Sequence, residues 1–147
     1  MSEHRATVEW QRLGEFRYET YSRGHTLRFD GIAVPGSAAP DNIPNTSSTV
    51  PGVDPEQAFV ASLSACHMLW FLHLACQKKW VVERYVDEAA GVLDKTWVSR
   101  VTLRPTVTFS GKAPTEEEHR ALHERAHEKC FIANSVKTAV VIEPCLK

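Results

Sequence analysis

Residues 7–12 and 16–21 alternate apolar and polar side chains on either side of Leu13-Gly14, a pattern that predicts a hairpin of two half-buried strands. A third strand is expected over 26–34. Residues 35–52, rich in Pro, Ser, Asn and Gly, read as an irregular loop, and a loop of that length is expected to serve function or subunit contact. The period then changes. From Ala58 to Cys76 the chain reads AFVASLSACHMLWFLHLAC, uncharged and apolar on every face, which predicts a long central helix buried nearly all round. Asp54 suits its cap, Pro55 its first position and Glu56 the positive end of its dipole, while Lys78 and Lys79 suit its C-terminal end. Strand-like stretches follow at 81–86, 89–93 and 99–109, punctuated by Gly111 and Pro114. Thr115 with Glu118 forms a capping box that opens a helix to about Lys129. A last strand is expected over 137–143. Strands, helix, strands, helix and strand together give an α+β fold with mostly antiparallel sheet.

The chain has 147 residues, enough for the single domain expected over 1–147 with a proper core. Its 43% apolar and 24% charged content is that of an ordinary globular protein, so an exceptional composition does not explain the central run. The run is long enough to cross a membrane. His67, His73, Ser62 and Ser64 inside it, and charges close to both ends, favour a core helix covered in part by a second subunit. A net charge of −1 leaves no bulk attraction to nucleic acid or to an anionic membrane, and neither is an expected partner. The N-terminus shows no basic segment leading into an apolar one, and EPCLK is not a prenylation box. The cysteines Cys66, Cys76, Cys130 and Cys145 are therefore expected as reduced cytoplasmic thiols rather than a disulfide framework.

Cys66 lies in the middle of the apolar run, sharing a helical stripe with Ser62, Leu69, Trp70 and His73. Burial alone raises a thiol pKa and silences it, so a reactive Cys66 needs a cation nearby. His67 is its neighbour in sequence but about 100° round the helix. Cys76 is displaced from Cys66 by about 80° and 15 Å along the helix, and is expected to be structural. Cys145 sits near the C-terminus and is expected to be dispensable. His119, His123, His127 and then Cys130 recur at three- and four-residue steps, a spacing that fits metal ligands but is common for exposed histidines on an acidic amphipathic helix, with Leu122 and Ala126 as the expected core-facing residues. Glycine-rich phosphate loops, GxSxG, HExxH and CxxC are absent from the sequence.

Two blocks carry a resemblance. PEQAFVASLSACHMLWFLHLA, from Pro55 to Ala75, resembles the central helix of the OsmC/Ohr family of osmotically inducible and organic hydroperoxide resistance proteins. LHERAHEKCFIANSVKTAVVIEP, from Leu122 to Pro144, resembles that family's second block, and VDEAAGVLD and VTLRPTVTF resemble its strands. His67 follows the first cysteine where well-studied members carry Phe, which marks a less typical branch. The resemblance implies curved antiparallel sheets around a long buried helix, in an intertwined homodimer. It implies a cysteine-based peroxidase that reduces alkyl or lipid hydroperoxides and requires neither metal nor bound cofactor. Cys66 and Cys130 fall on the two catalytic cysteines, and Glu56 on the conserved-type glutamate. The arginine beside the first thiol is assigned to Arg23, with Arg17 and Arg28 as near alternatives. The implied chemistry is thiolate attack on the peroxide, a Cys66 sulfenic acid, a Cys66–Cys130 disulfide and reduction by a dithiol such as dihydrolipoamide. Trp70, Phe71 and Phe131 are expected to make the pocket apolar. Two alternatives use the same residues. One is a non-enzymatic ligand-binding or redox-sensing protein of this fold. The other is a metal protein built on His119, His123, His127 and Cys130.

Overall fold

The structure is a computed structural model that describes residues 1–44 and 50–147. It divides into two compact units, Met1–Ala58 and Phe59–Lys147.

The first unit contains β1 (Thr7–Glu9), β2 (His25–Phe29) and β3 (Ile32–Gly36) in one antiparallel sheet of that order. Asp30 and Gly31, with φ of 41° and 89°, turn the chain between β2 and β3. Asp-Gly is the pair that accepts such angles at the tip of a two-residue hairpin, so the single strand expected over 26–34 is a hairpin of two. The hairpin expected around Leu13-Gly14 does not form. β1 pairs instead with β2, Val8 lying opposite Leu27. Residues 16–21 are not a strand: the backbone N–H groups of Thr20 and Tyr21 both bond to the Arg17 carbonyl, closing a turn. The alternating aromatics of that stretch pack on one another rather than on a sheet. Phe16 lies 5.7 Å from Trp10 and 5.1 Å from Tyr21, ring centre to ring centre. The long loop expected over 35–52 starts later, since β3 runs to Gly36. Its far end is tied back through a bridge between Gly36 and Val53, a 3₁₀ turn forms at Pro40–Asn42, and 45–49 lie outside the described residues.

Helix α1 (Pro55–Gln77) begins as expected. Asp54 Oδ1 accepts the Gln57 N–H at 2.7 Å and Gln57 Oε1 accepts the Asp54 N–H at 3.1 Å, a reciprocal cap. Its end is a left-handed closure. Lys79 has φ of 60°, and the N–H groups of Lys79 and Trp80 bond back to the carbonyls of Cys76 and Ala75.

The second unit holds most of α1, with β4 (Val81–Asp87), β5 (Ala90–Asp94), β6 (Trp97–Leu103), β7 (Pro105–Ser110), α2 (Glu116–Lys129), β8 (Ala139–Ile142) and β9 (Cys145–Leu146). Two mixed sheets form, of order β4-β7-β9 and β5-β6-β8. The stretch 99–109, expected as one strand, is split between them at Arg104. There the backbone N–H leaves the ladder to bond Asp87 Oδ1 at 2.6 Å, and Pro105 follows. β8 runs parallel to β6 and β9 parallel to β7; α2 supplies the crossover that parallel pairing requires. β9 was not expected, because two residues carry no periodicity.

The core of this unit packs one stripe of α1 against both sheets and α2. Phe71 and Ala75 join Val107, Leu122 and Ala126, while Leu63 joins Val101 and Leu103. Each large member contributes about 1.5–3 kcal/mol through burial. Burial on nearly every face of α1 is not what one chain provides. Its fully buried positions are Leu63, His67, Phe71 and Ala75, four residues apart, whereas Ala61, Ala65 and Leu69 are exposed, Leu69 to 63%. Among the described residues α1 is the one helix long and apolar enough to cross a membrane.

Candidate active site

Cys66 stands at the middle of α1, half-buried, on the floor of a cavity of about 290 Å³ lined by Leu69, Trp70, His73 and Phe131. Helical spacing brings Leu69, Trp70 and His73 to one side of the thiol, and Phe131 comes from the residue just after the Cys130 cap of α2. Trp70 meets Phe131 edge-on at 5.5 Å and His73 at 5.7 Å. The Lys129 ammonium lies 5.3 Å from the Trp70 ring centre. Phe131 is 68% exposed, so the cavity has an apolar, open mouth. Phe71, expected here, points the other way. It is fully buried, stacked on His123 at 4.3 Å, because one residue step turns the helix by about 100° away from Trp70.

The structure brings the two cysteines together. Cys130 closes the last turn of α2, its N–H bonded to the His127 carbonyl, and its thiol lies close enough to that of Cys66 to interact with it. The Ala133 N–H approaches Cys130 Sγ at 3.4 Å. Burial pushes the Cys130 thiol up to about 11, offset in part by the Ala133 N–H and reinforced by the Cys66 thiol. All four cysteines are free thiols; Cys76 and Cys145 are exposed, the latter in β9 rather than in a loose tail.

Arg23 and Glu56 both belong to the first unit. Arg23 donates to the carbonyls of Tyr21 and Tyr18 at 2.6 and 2.7 Å, and its guanidinium lies 3.6 Å from the Tyr21 ring centre. With Trp10, Phe16, Tyr21 and His25 it lines an apolar cavity of about 460 Å³. The two alternatives are placed differently. Arg17 lies 3.7 Å from Glu15 and Arg28 lies 3.3 Å from Glu9, all of them exposed surface pairs. Glu56 accepts from Asn42 Nδ2 at 3.3 Å through Oε1, while Oε2 is buried without a partner among the described residues.

The histidine stripe of α2 is core rather than surface. His119 and His123 are 3% and 1% exposed. His123 uses both ring nitrogens, on His67 Nε2 at 2.9 Å and on His119 Nε2 at 3.2 Å. Burial, followed by repulsion from its neighbours, holds His123 down to about 2 and His67 down to about 4, and burial lowers His119. Cys130 turns to Cys66 instead of to these rings. Among the described residues no group of three His, Cys, Asp or Glu side chains is placed to hold a metal ion, so the metal alternative lacks its geometry. The sequence signal that could have placed His119 and His123 inside was their i, i+4 alignment beside Leu122 and Ala126.

A helix carrying one thiol, a second helix capped by another, and two mixed sheets define a class that comparison then specifies. Residues 46–144 match the family model described as OsmC-like protein, and the chain belongs to that family. An OsmC-like protein of unknown function from Vibrio cholerae is 46% identical over 98% of this chain and 99% of its own, with a TM-score of 0.91. An organic hydroperoxide resistance protein from Elizabethkingia anophelis shares the fold, with a TM-score of 0.68 and 16% identity over 100% and 96% of the two chains. The organic hydroperoxide resistance protein OhrB of Bacillus subtilis does so with a TM-score of 0.58 and 18% identity over 97% and 98%. No curated protein matches the chain.

Proposed function

We propose that this protein is a cytoplasmic, thiol-dependent peroxidase that reduces organic hydroperoxides to alcohols. The observation that carries this reading is the meeting of the Cys66 and Cys130 thiols, with Cys66 facing an apolar cavity. Two structural neighbours are named for organic hydroperoxide resistance; the reading extends that activity to this chain.

Cys66 is the attacking thiol because it faces the cavity, whereas Cys130 is 1% exposed. The Cys66 thiolate attacks the distal peroxide oxygen, forming an S–O bond as the O–O bond breaks. Alkoxide leaves and takes a proton to become the alcohol, and Cys66 is left as a sulfenic acid. Cys130 then attacks the sulfenic sulfur, water leaves and the Cys66–Cys130 disulfide forms. A dithiol of the dihydrolipoamide type exchanges with that disulfide, itself becoming oxidised and restoring both thiols. Because burial holds the Cys130 proton so tightly, closure of the disulfide quickens as pH rises, while Trp70 and Phe131 favour an alkyl over a hydrogen peroxide substrate.

In this reading the fork of donors of Arg23 holds the peroxide oxygens, and Glu56 orients the guanidinium. Glu56 and Cys66 are about 15 Å apart along α1, so the Glu56 that serves a given Cys66 belongs to a second copy. An antiparallel α1–α1 contact along Ala61, Ala65 and Leu69 brings it there.

Stopped-flow mixing with an alkyl hydroperoxide, and separately with hydrogen peroxide, tests the reading through loss of free thiol. Wild type, Cys76→Ala and Cys145→Ala should consume the alkyl peroxide at least about tenfold faster than hydrogen peroxide, and Cys66→Ser should be inert. Equal consumption by wild type and Cys66→Ser would falsify it and favour a ligand-binding role.

A further inference from the structure

The buried imidazole chain has no part in the peroxide chemistry above, yet it joins the two helices that carry the thiols. His67 follows Cys66 on α1, and His123 lies two turns before Cys130 on α2. His67 Nε2 and His123 Nδ1 are 2.9 Å apart, with the two rings only 2° from coplanar, which suits an in-plane hydrogen bond. His119 continues the chain from the other edge of His123 at 3.2 Å. A neutral imidazole has one donor and one acceptor, so the three rings must orient their protons in concert.

This bond selects one register of α1 against α2. The apolar neighbours Phe71, Leu122 and Ala126 tolerate sliding, since burial is non-directional. A slip of one helix along the other strands two imidazole nitrogens without partners in a dry core. His67 Nδ1 and His127 Nδ1 are already buried without a partner among the described residues, so this region holds little further tolerance. Disulfide formation requires that register, because the two Cα atoms must approach to within about 7 Å.

We propose that His67 and His123 are positioning residues whose buried hydrogen bond sets the register of α1 on α2 and thereby holds Cys66 and Cys130 in disulfide reach. The proposal rests on reading those cysteines as the redox pair, but it does not require peroxide as the oxidant.

The test is the equilibrium of the full-length protein with glutathione. Protein dithiol and one glutathione disulfide give protein disulfide and two glutathione thiols. Acid trapping, alkylation and peptide mass spectrometry read the Cys66–Cys130 species, and thermal melts run in parallel. His67→Leu and His123→Leu should each lower the equilibrium constant by about tenfold or more, as expected when a reacting pair is displaced by about 1 Å. His67→Gln keeps an amide group near the Nε2 position and should stay within about threefold of wild type. The double variant H67L/H123L removes both polar partners together. It should recover much of the thermal stability lost by either single variant, yet keep the lowered equilibrium constant, because an apolar pair restores burial but not register. If a single Leu variant fails to fold, the Gln and double-Leu variants decide. The proposal is overturned if the double variant matches wild type, if His67→Gln falls as far as the Leu variants, or if wild type forms no Cys66–Cys130 disulfide at any glutathione ratio. Wild type that leaves alkyl peroxide untouched but shows the histidine-dependent equilibrium sinks the peroxidase reading and leaves this one standing.

Discussion

One apolar helix treats two side chains one position apart in opposite ways. Cys66 is half-buried at a cavity, and His67 is sealed in the core. Helical geometry makes that contrast legible in outline, since adjacent residues differ by about 100°; which side of α1 meets α2 is set by the tertiary packing alone. The sealed histidines have a thermodynamic consequence. His67 and His123 are held down to about 4 and 2, and His119 is lowered as well. On acidification the unfolded chain takes up protons on these rings near pH 6.5 while the folded one does not. Their contribution is therefore fully present above about pH 6.5 and is lost as pH falls toward 4, at up to about 1.4 kcal/mol per pH unit for each histidine. Urea melts from pH 7.5 down to pH 4.5 should show midpoint stability dropping steeply below pH 6.5. His123→Leu, whose own ring no longer titrates, should show a shallower fall. An equal slope in the two proteins would mean that other groups govern acid unfolding.

At the scale of elements, the sequence placed the starts of both helices well. The Asp54–Pro55 start and the Thr115–Glu118 capping box stand as expected, because caps are local chemistry. Strand pairing was harder. Alternation at 16–21 is indistinguishable from that of a strand, yet its aromatics form a ring cluster in a loop. The run 99–109 satisfies a strand pattern throughout, yet it changes sheet at Arg104, where Asp87, seventeen residues earlier, captures the backbone N–H. The Asp30-Gly31 turn was present in the sequence as a recognisable hairpin pair. The end of α1 carries a local cost. Lys79 occupies a left-handed conformation with φ of 60°, where a Cβ is disfavoured and Gly is at ease. Lys79→Gly should stabilise the protein by roughly 0.5–1 kcal/mol in chemical denaturation, less whatever entropy the unfolded glycine gains. A loss of more than that amount would show that the Lys79 side chain contributes more than its backbone strain costs.

For the whole molecule, the surface of α1 poses the larger question. A helix apolar on every side meets its own chain through one stripe, leaving Ala61, Ala65 and Leu69 outward. A homodimer with composite sites is the expected answer, related by a two-fold axis and burying more than roughly 2,000 Å² in total. Sedimentation at assay concentration should give a dimer, and Ala65→Glu should yield monomer with at least about hundredfold lower peroxide turnover through loss of the partner's Glu56. A fully active monomer would overturn the composite site. The chain by itself determined the α+β class and the two helices with their caps. These depend on hydrophobic period, local hydrogen bonding and motif spacing, all written within a few residues of one another. Tertiary structure alone decided that Phe71 faces the core while Trp70 lines the cavity, that Arg23 stacks on Tyr21, and that His67, His119 and His123 form one chain. Those outcomes depend on which faces meet across long sequence separations, and an apolar pattern complete on every side of a helix does not encode that choice.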